Sequence, residues 1–232
     1  MKKAVLSIFL FSFCLSKAQN YYDDAQLRQH INIEKRFGDA FSVSLEQQSR
    51  IGYNASTYTR GSLDVGFNFR INKNIRFCAD YVFIEKRQKN GDFLPRHWYS
   101  GAIVLKKDIG RWKFLYRNLF QARYGYTSDL LNVRYYDRNK ATVKYEATKR
   151  FSFYLSEELY IPVNSPQAKG LDRSRSYAGM NIKMSKRQVL ELYFMYQVQL
   201  QKNDWFDQSN GYDNKLLKRY FVYGIGYSLV ID

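Results

Sequence analysis

From about residue 25 onward, apolar and polar side chains alternate along the chain with a period of two. In VLELYFMYQVQLQ, residues 189–201, Leu190, Leu192, Phe194, Tyr196, Val198 and Leu200 share one parity. Glu191, Tyr193, Met195, Gln197, Gln199 and Gln201 share the other. Successive side chains of a strand point to opposite faces, so the run predicts a strand with one apolar face. It is about twice the five or six residues usual for a strand in a soluble domain.

The same alternation recurs at 25–37, 40–50, 59–71, 75–86, 96–107, 111–124, 133–146, 151–161, 173–184, 189–201 and 217–231, which predicts eleven strands in a single domain. No segment reads as a helix, and no shift in composition marks a second domain. Two classes of connection alternate. Phe37-Gly38-Asp39, Asn72-Lys73-Asn74, Asp108-Ile109-Gly110, Ala147-Thr148-Lys149 and Ser185-Lys186-Arg187 carry tight-turn chemistry. Longer segments separate them: IGYNASTY, RQKNGDFLPR, GYTSDLLN, PVNSPQAKGLD and KNDWFDQSNGYDN. Short turns at one rim and long loops at the other are the arrangement of an outer-membrane barrel, with the short turns periplasmic and the long loops extracellular.

The apolar parity fits a lipid contact. On the sixth strand Trp112, Phe114, Tyr116, Phe120, Ala122 and Tyr124 face one way, with aromatic residues at both ends and Asn118 as the exception. Other polar breaks in this parity, at Gln47, Ser49, Asp137, Glu157, Ser174 and Ser176, are expected near the long-loop ends, beyond the hydrocarbon layer. A secreted sandwich also alternates, but it packs two apolar faces into one core and uses shorter strands. The fold expected is all-β, an antiparallel transmembrane β-barrel of about 12 strands, of which 11 read clearly. An even count asks for a short twelfth strand near Asn20 to Asp23.

The N-terminus supports export. Lys2 and Lys3 precede an apolar stretch from Ala4 to Leu15, and Ser16, Lys17 and Ala18 suit a signal peptidase, which predicts a signal peptide over 1–18 and a barrel over 19–232. The stretch is too short to cross a bilayer as a helix. After cleavage Cys78 is the one remaining cysteine, so no intramolecular disulfide is available. Loss of three lysines lowers the formal charge from +16 to +13. A basic balance of that size raises nucleic acid or an anionic surface as partner.

The hairpin KRFGDAFSVSLEQQSR, the pair INKNIRFCADYVFIEKR, the long hairpin RHWYSGAIVLKKDIGRWKFLYRNLFQARY, and VRYYDRNKATVKYEATKRFSFYLSEELY followed by MSKRQVLELYFMYQ carry a resemblance. They resemble domain-of-unknown-function family 2490, barrel-type proteins of Bacteroidetes, over nearly the whole mature chain. The resemblance implies an outer-membrane β-barrel and supplies no active site. Asp232 stands where such barrels usually end in an aromatic residue.

The inward parity then carries any function. Arg117, Arg123, Arg134, Arg138, Lys140, Lys144, Arg173, Arg175 and Lys183 fall on the sixth, seventh and ninth strands and predict a basic wall. Of these, Arg117, Arg123, Arg134, Arg138, Lys140, Arg173 and Arg175 are the candidate anion path, since guanidinium groups bind carboxylate or phosphate in pairs of hydrogen bonds. The competing expectation is that these cations pair across a narrow lumen with Glu34, Glu46, Asp64, Asp80, Glu158 and Glu191 and plug it. Inward Tyr136, Tyr154, Tyr160, Tyr177 and Tyr193 serve as filler or as a saccharide-stacking surface.

Three function classes follow: a channel for small anions or acidic saccharides, a closed structural or surface-interaction barrel without transport, and a lipid-modifying hydrolase using His97. The last needs a serine beside His97, yet Ser100 lies on the opposite parity and Tyr99, two residues on, shares its face. No catalytic residue is assigned. No spacing of His, Cys or carboxylates suggests a metal site, and no glycine-rich loop suggests a cofactor, so none is expected. Because the basic residues follow strand alternation into the lumen, nucleic acid is not an expected partner. The partners expected are outer-membrane lipids and small anionic solutes, with no protein partner indicated.

Overall fold

A computed structural model describes residues 21–88, 90–127, 130–164, 170–199 and 217–232. The expected signal peptide lies outside these residues. Eleven strands follow one another: β1 (Tyr21–Phe37), β2 (Phe41–Gly52), β3 (Thr57–Arg70), β4 (Ile75–Arg87), β5 (Phe93–Ile109), β6 (Trp112–Thr127), β7 (Leu130–Glu146), β8 (Phe151–Pro162), β9 (Arg173–Lys183), β10 (Gln188–Gln199) and β11 (Leu217–Ile231). They form one closed barrel in which each strand pairs with its neighbours in sequence, and β1 pairs with β11. Among the described residues there is no helix.

Ten of the pairings are antiparallel, and the β1/β11 seam is parallel, running from Tyr21↔Leu217 to Lys35↔Ile231. The seam follows from the count: strands that alternate in direction leave the first and the eleventh pointing the same way. The expected twelfth strand does not form among the described residues. Tyr21 to Asp23 instead begin β1, paired with Leu217 to Arg219, because extending an existing ladder satisfies their backbone groups without another turn.

The tight turns gather at one rim, where Gly38 (φ 71°) and Gly110 (φ 58°) adopt the left-handed conformation that glycine takes without strain. At the opposite rim the strands run further than the sequence reading placed them. β5 begins at Phe93, β6 ends at Thr127 and β7 begins at Leu130, so much of RQKNGDFLPR and GYTSDLLN is strand. The loop KNDWFDQSNGYDN lies outside the described residues. Between β2 and β3, Tyr53, Asn54 and Ala55 are all left-handed (φ 52°, 55° and 60°), a strained run for residues with a Cβ. Asp24 Oδ1 holds the run by accepting from the Asn54 N–H at 2.8 Å, and the Ala55 N–H donates to the Ala25 carbonyl at 2.9 Å.

The outward parity is mainly apolar. Leu27, Leu45, Leu63, Phe77, Ile103, Phe114, Phe153, Leu155, Leu192 and Ile225 are all exposed, Leu155 by 60%. An apolar girdle of this kind is what a lipid bilayer covers in a transmembrane barrel. A sandwich core is ruled out, since the sheet closes on itself and no second sheet faces it. Of the polar breaks, Gln47 and Ser49 lie toward the long-loop end of β2 and Ser174 and Ser176 at that end of β9, while Asp137 and Glu157 lie further in. Asp137 is level with Phe120 and Ile161 on its two neighbours, both exposed apolar residues, so this patch is embedded in the girdle. Its carboxylates are satisfied locally: Asn118 and Asn139 donate to Asp137 at 2.6 and 2.9 Å, and Ser174 and Ser176 donate to Glu157 at 2.5 and 2.6 Å.

If lipid covers the girdle, replacing Leu155 by Arg should destabilise the bilayer-inserted barrel by about 2–4 kcal/mol if that position lies near the midplane. Urea unfolding in lipid vesicles would measure the change, and an effect within a few tenths of a kcal/mol would place the position outside hydrocarbon.

Candidate functional site

The inward parities of all eleven strands line a central cavity of about 610 Å³. Its wall carries thirteen Lys and Arg residues against six Asp and Glu. The wall treats its cations in two ways.

Glu158 on β8 gathers the first group. It is 1% exposed, and its Oε1 accepts from Arg117 Nη2 of β6 at 2.8 Å and from Arg138 Nη2 of β7 at 2.7 Å. Its Oε2 lies 3.7 Å from Arg175 Nη1 of β9 and accepts from the Tyr160 and Tyr177 hydroxyls at 3.2 and 3.3 Å. One carboxylate thus ties together four adjacent strands. Three of the seven residues expected to form an anion path are therefore arranged around an acid.

The second group keeps its charge. Arg28, Arg50, Arg60 and Arg123 line the cavity from β1, β2, β3 and β6, and among the described residues none makes an ion pair. Neutral acceptors orient them instead. Gln26 Oε1 accepts from Arg28 at 3.3 Å, Gln48 Oε1 from Arg50 at 2.6 and 2.9 Å, and Gln121 Oε1 from Arg123 at 2.8 Å. Across the β9/β10 ladder, Gln197 Oε1 accepts from Arg175 Nε at 2.7 Å. Aromatic rings supply further support: Arg60 and Arg123 lie 4.5 and 4.4 Å from the Trp98 centroid, and Arg123 lies 4.1 Å from that of Tyr136.

The remaining expected residues are placed as follows. Lys140 lines the cavity, its ammonium 4.2 Å from the Tyr177 ring centroid. Arg173 also lines it, 3.4 Å from Asp172. Arg134 is buried near the start of β7, opposite Arg123 in register, and does not line the cavity. Lys183, with Lys113, binds Glu146 near the short-turn rim at 3.7 and 2.7 Å. Arg50, Arg60 and Trp98 were missing from the sequence-based path. A signal for three members of the group, Arg28, Arg50 and Arg123, was present: Gln-Leu-Arg at 26–28, Gln-Ser-Arg at 48–50 and Gln-Ala-Arg at 121–123 put amide and guanidinium on one face, two residues apart.

On β1, β10 and β8, bulky inward side chains lie flat over glycines of the next strand. His30 covers Gly226, Tyr193 covers Gly224 and Tyr154 covers Gly179, positions where a Cβ would collide with the ring. His30 Nε2 is 3.4 Å from Glu191, which also accepts from the Tyr154 hydroxyl at 2.6 Å. Rings held against the wall leave the centre of the lumen to the charged groups. His97 faces outward, its Nδ1 2.8 Å from the Tyr81 hydroxyl, within an aromatic group that includes Phe83. Ser100 faces inward and donates to Asp80 at 3.4 Å, so the barrel wall separates it from His97.

Residues 25–210 match a family model described as "Protein of unknown function (DUF2490)". No curated protein sequence matches the chain. Among solved structures, a NanC porin in a rhombohedral crystal form is similar over 89% of this chain and 97% of its own, with a TM-score of 0.52 and 14% identity. At that identity the likeness is one of fold, a porin-like β-barrel.

Removing one partner of a buried ion cluster leaves uncompensated charge behind. Glu158→Gln should therefore cost about 3–5 kcal/mol of barrel stability, read as a lower urea midpoint of the bilayer-inserted protein. Little change would mean that water already compensates Arg117 and Arg138.

Proposed function

The chain belongs to the DUF2490 family of proteins of unknown function, and we propose that it is an outer-membrane channel of a Gram-negative bacterium for small anions or acidic saccharides, exported by a cleaved signal peptide. The observation that carries this reading is the set of guanidinium groups oriented by glutamines and rings rather than by carboxylates. A neutral acceptor fixes a guanidinium without cancelling its field, and low-dielectric walls concentrate that field along the lumen.

The ladder adds a second support. Arg50 stands directly opposite Arg60 and Arg117 opposite Lys140, all four lining the cavity. Like charges directly across a ladder destabilise a sheet, so a barrel with no use for positive potential would not be expected to repeat the arrangement. Because two guanidiniums already lie over Trp98, charge rather than stacking on that ring would select the solute. The Glu158 cluster favours the rival reading of a closed barrel, since it draws Arg117, Arg138 and Arg175 together inside the lumen.

Single-channel recording of the refolded mature protein in a planar bilayer, under a salt gradient, separates the two. Anion-selective openings are expected, and Arg60→Gln combined with Arg123→Gln should lower the anion-to-cation permeability ratio several-fold. Silence from protein shown to be inserted supports the closed barrel, and unchanged selectivity in the double variant removes the arginine cluster from the mechanism.

A further inference from the structure

Glu46, Asp64 and Asp80 face the lumen from β2, β3 and β4 and form an acidic patch, with Arg50, Arg60 and Lys86 further along the same strands. Glu46 and Asp64 are directly paired across the ladder, and Asp80 is two residues from Val82, the partner of Asp64. Among the described residues none of the three makes an ion pair, although thirteen cations line the same cavity. Among the described residues the Ser100 hydroxyl donates to Asp80 at 3.4 Å.

Arg117, Arg138 and Lys140 line the same cavity from β6 and β7, with β5 between them and the acidic patch. Among the described residues no ion pair joins them to Glu46, Asp64 or Asp80. Among the described residues Lys140 makes no ion pair, and Arg28, 7% exposed, contributes a guanidinium to the same cavity with its Nε unsatisfied. Arg117 and Arg138 share Glu158 with Arg175, so together with Lys140 these cations outnumber the one carboxylate among them, and the Nε groups of Arg117 and Arg138 are unsatisfied; an excess of positive charge thus shares one cavity with an excess of negative charge.

An acidic patch is a handicap in a path for simple anions, because it repels them where the cations attract. Paired with a basic one it produces a field between the two, and a dipolar molecule gains from both at once. We propose that the solute is zwitterionic, a small molecule whose carboxylate meets Arg117, Arg138 and Lys140 while its ammonium meets Glu46, Asp64 and Asp80. The inference rests on the channel reading and names the class of solute that channel takes. The arginine cluster draws in the anionic end, and the acidic patch distinguishes a zwitterion from a plain anion.

Osmotic swelling of proteoliposomes tests it with two uncharged-overall solutes of similar size, 6-aminohexanoate and its neutral counterpart 6-hydroxyhexanamide. The zwitterion should enter at least threefold faster. In the Glu46→Gln, Asp64→Asn, Asp80→Asn variant that ratio should fall to about one, while anion preference under a salt gradient is kept or increased. Asp64→Asn alone should lower the ratio in the same direction if the triple variant does not insert. Equal rates in the parent, with anion-selective conductance intact, overturn the zwitterion proposal and leave the channel. Absence of swelling with either solute, from protein shown to be inserted, overturns both.

Discussion

Every backbone N–H and C=O that enters hydrocarbon must find its partner within the protein, and an open sheet edge there leaves a whole row unsatisfied. Closure of the sheet is the condition on which the rest of this structure depends. With eleven strands it requires a parallel seam, and parallel pairing is slightly weaker per residue than antiparallel pairing. Length compensates, since β1 and β11 stay in register over fifteen residue pairs. Both ends of the seam are also pinned. Arg219 makes a two-pronged ion pair with Asp23, both bonds at 2.7 Å, near the long-loop rim, and Lys35 donates to the Asp232 backbone carbonyl at 2.7 Å at the other.

Closure also divides the side chains into two populations that never mix. The outward set meets an apolar medium and needs no specific partner beyond shape, apart from the polar patch around Asp137 and Glu157. The inward set is crowded with charge and must resolve it internally. Glu158 does so by neutralisation, holding β6, β7, β8 and β9 around one buried carboxylate. The glutamines do so by orientation alone, which leaves potential in the lumen at a cost to stability. A sheet optimised only for stability would pair its arginines with acids, and the unpaired Glu46, Asp64 and Asp80 were at hand for it.

Space in the lumen depends on similar local choices. Tyr154, Tyr193 and His30 are large enough to obstruct a barrel of this size, and glycines at 179, 224 and 226 let them lie against the wall. The same glycines would weaken an ordinary strand, having no side chain to pack. Their value lies in what they allow the neighbouring ring to do.

Alternation alone determined which residues form strands and which face each points to, because side-chain parity is a property of neighbouring residues and needs no knowledge of the fold. The lipid-facing girdle, the inward position of Arg117, Arg123, Arg138, Lys140, Arg173 and Arg175, and the split between His97 and Ser100 were all legible in that way. The tertiary structure decided the count at closure, joining Tyr21 to Asp23 to β1 instead of making a twelfth strand. It also decided which cations are neutralised. Arg117 and Arg138 meet Glu158 while Arg50 and Arg60 meet no acid, although all four read alike along the chain. The stagger between tilted strands sets the height of each charge in the lumen, and that stagger exists only once the last strand has found the first.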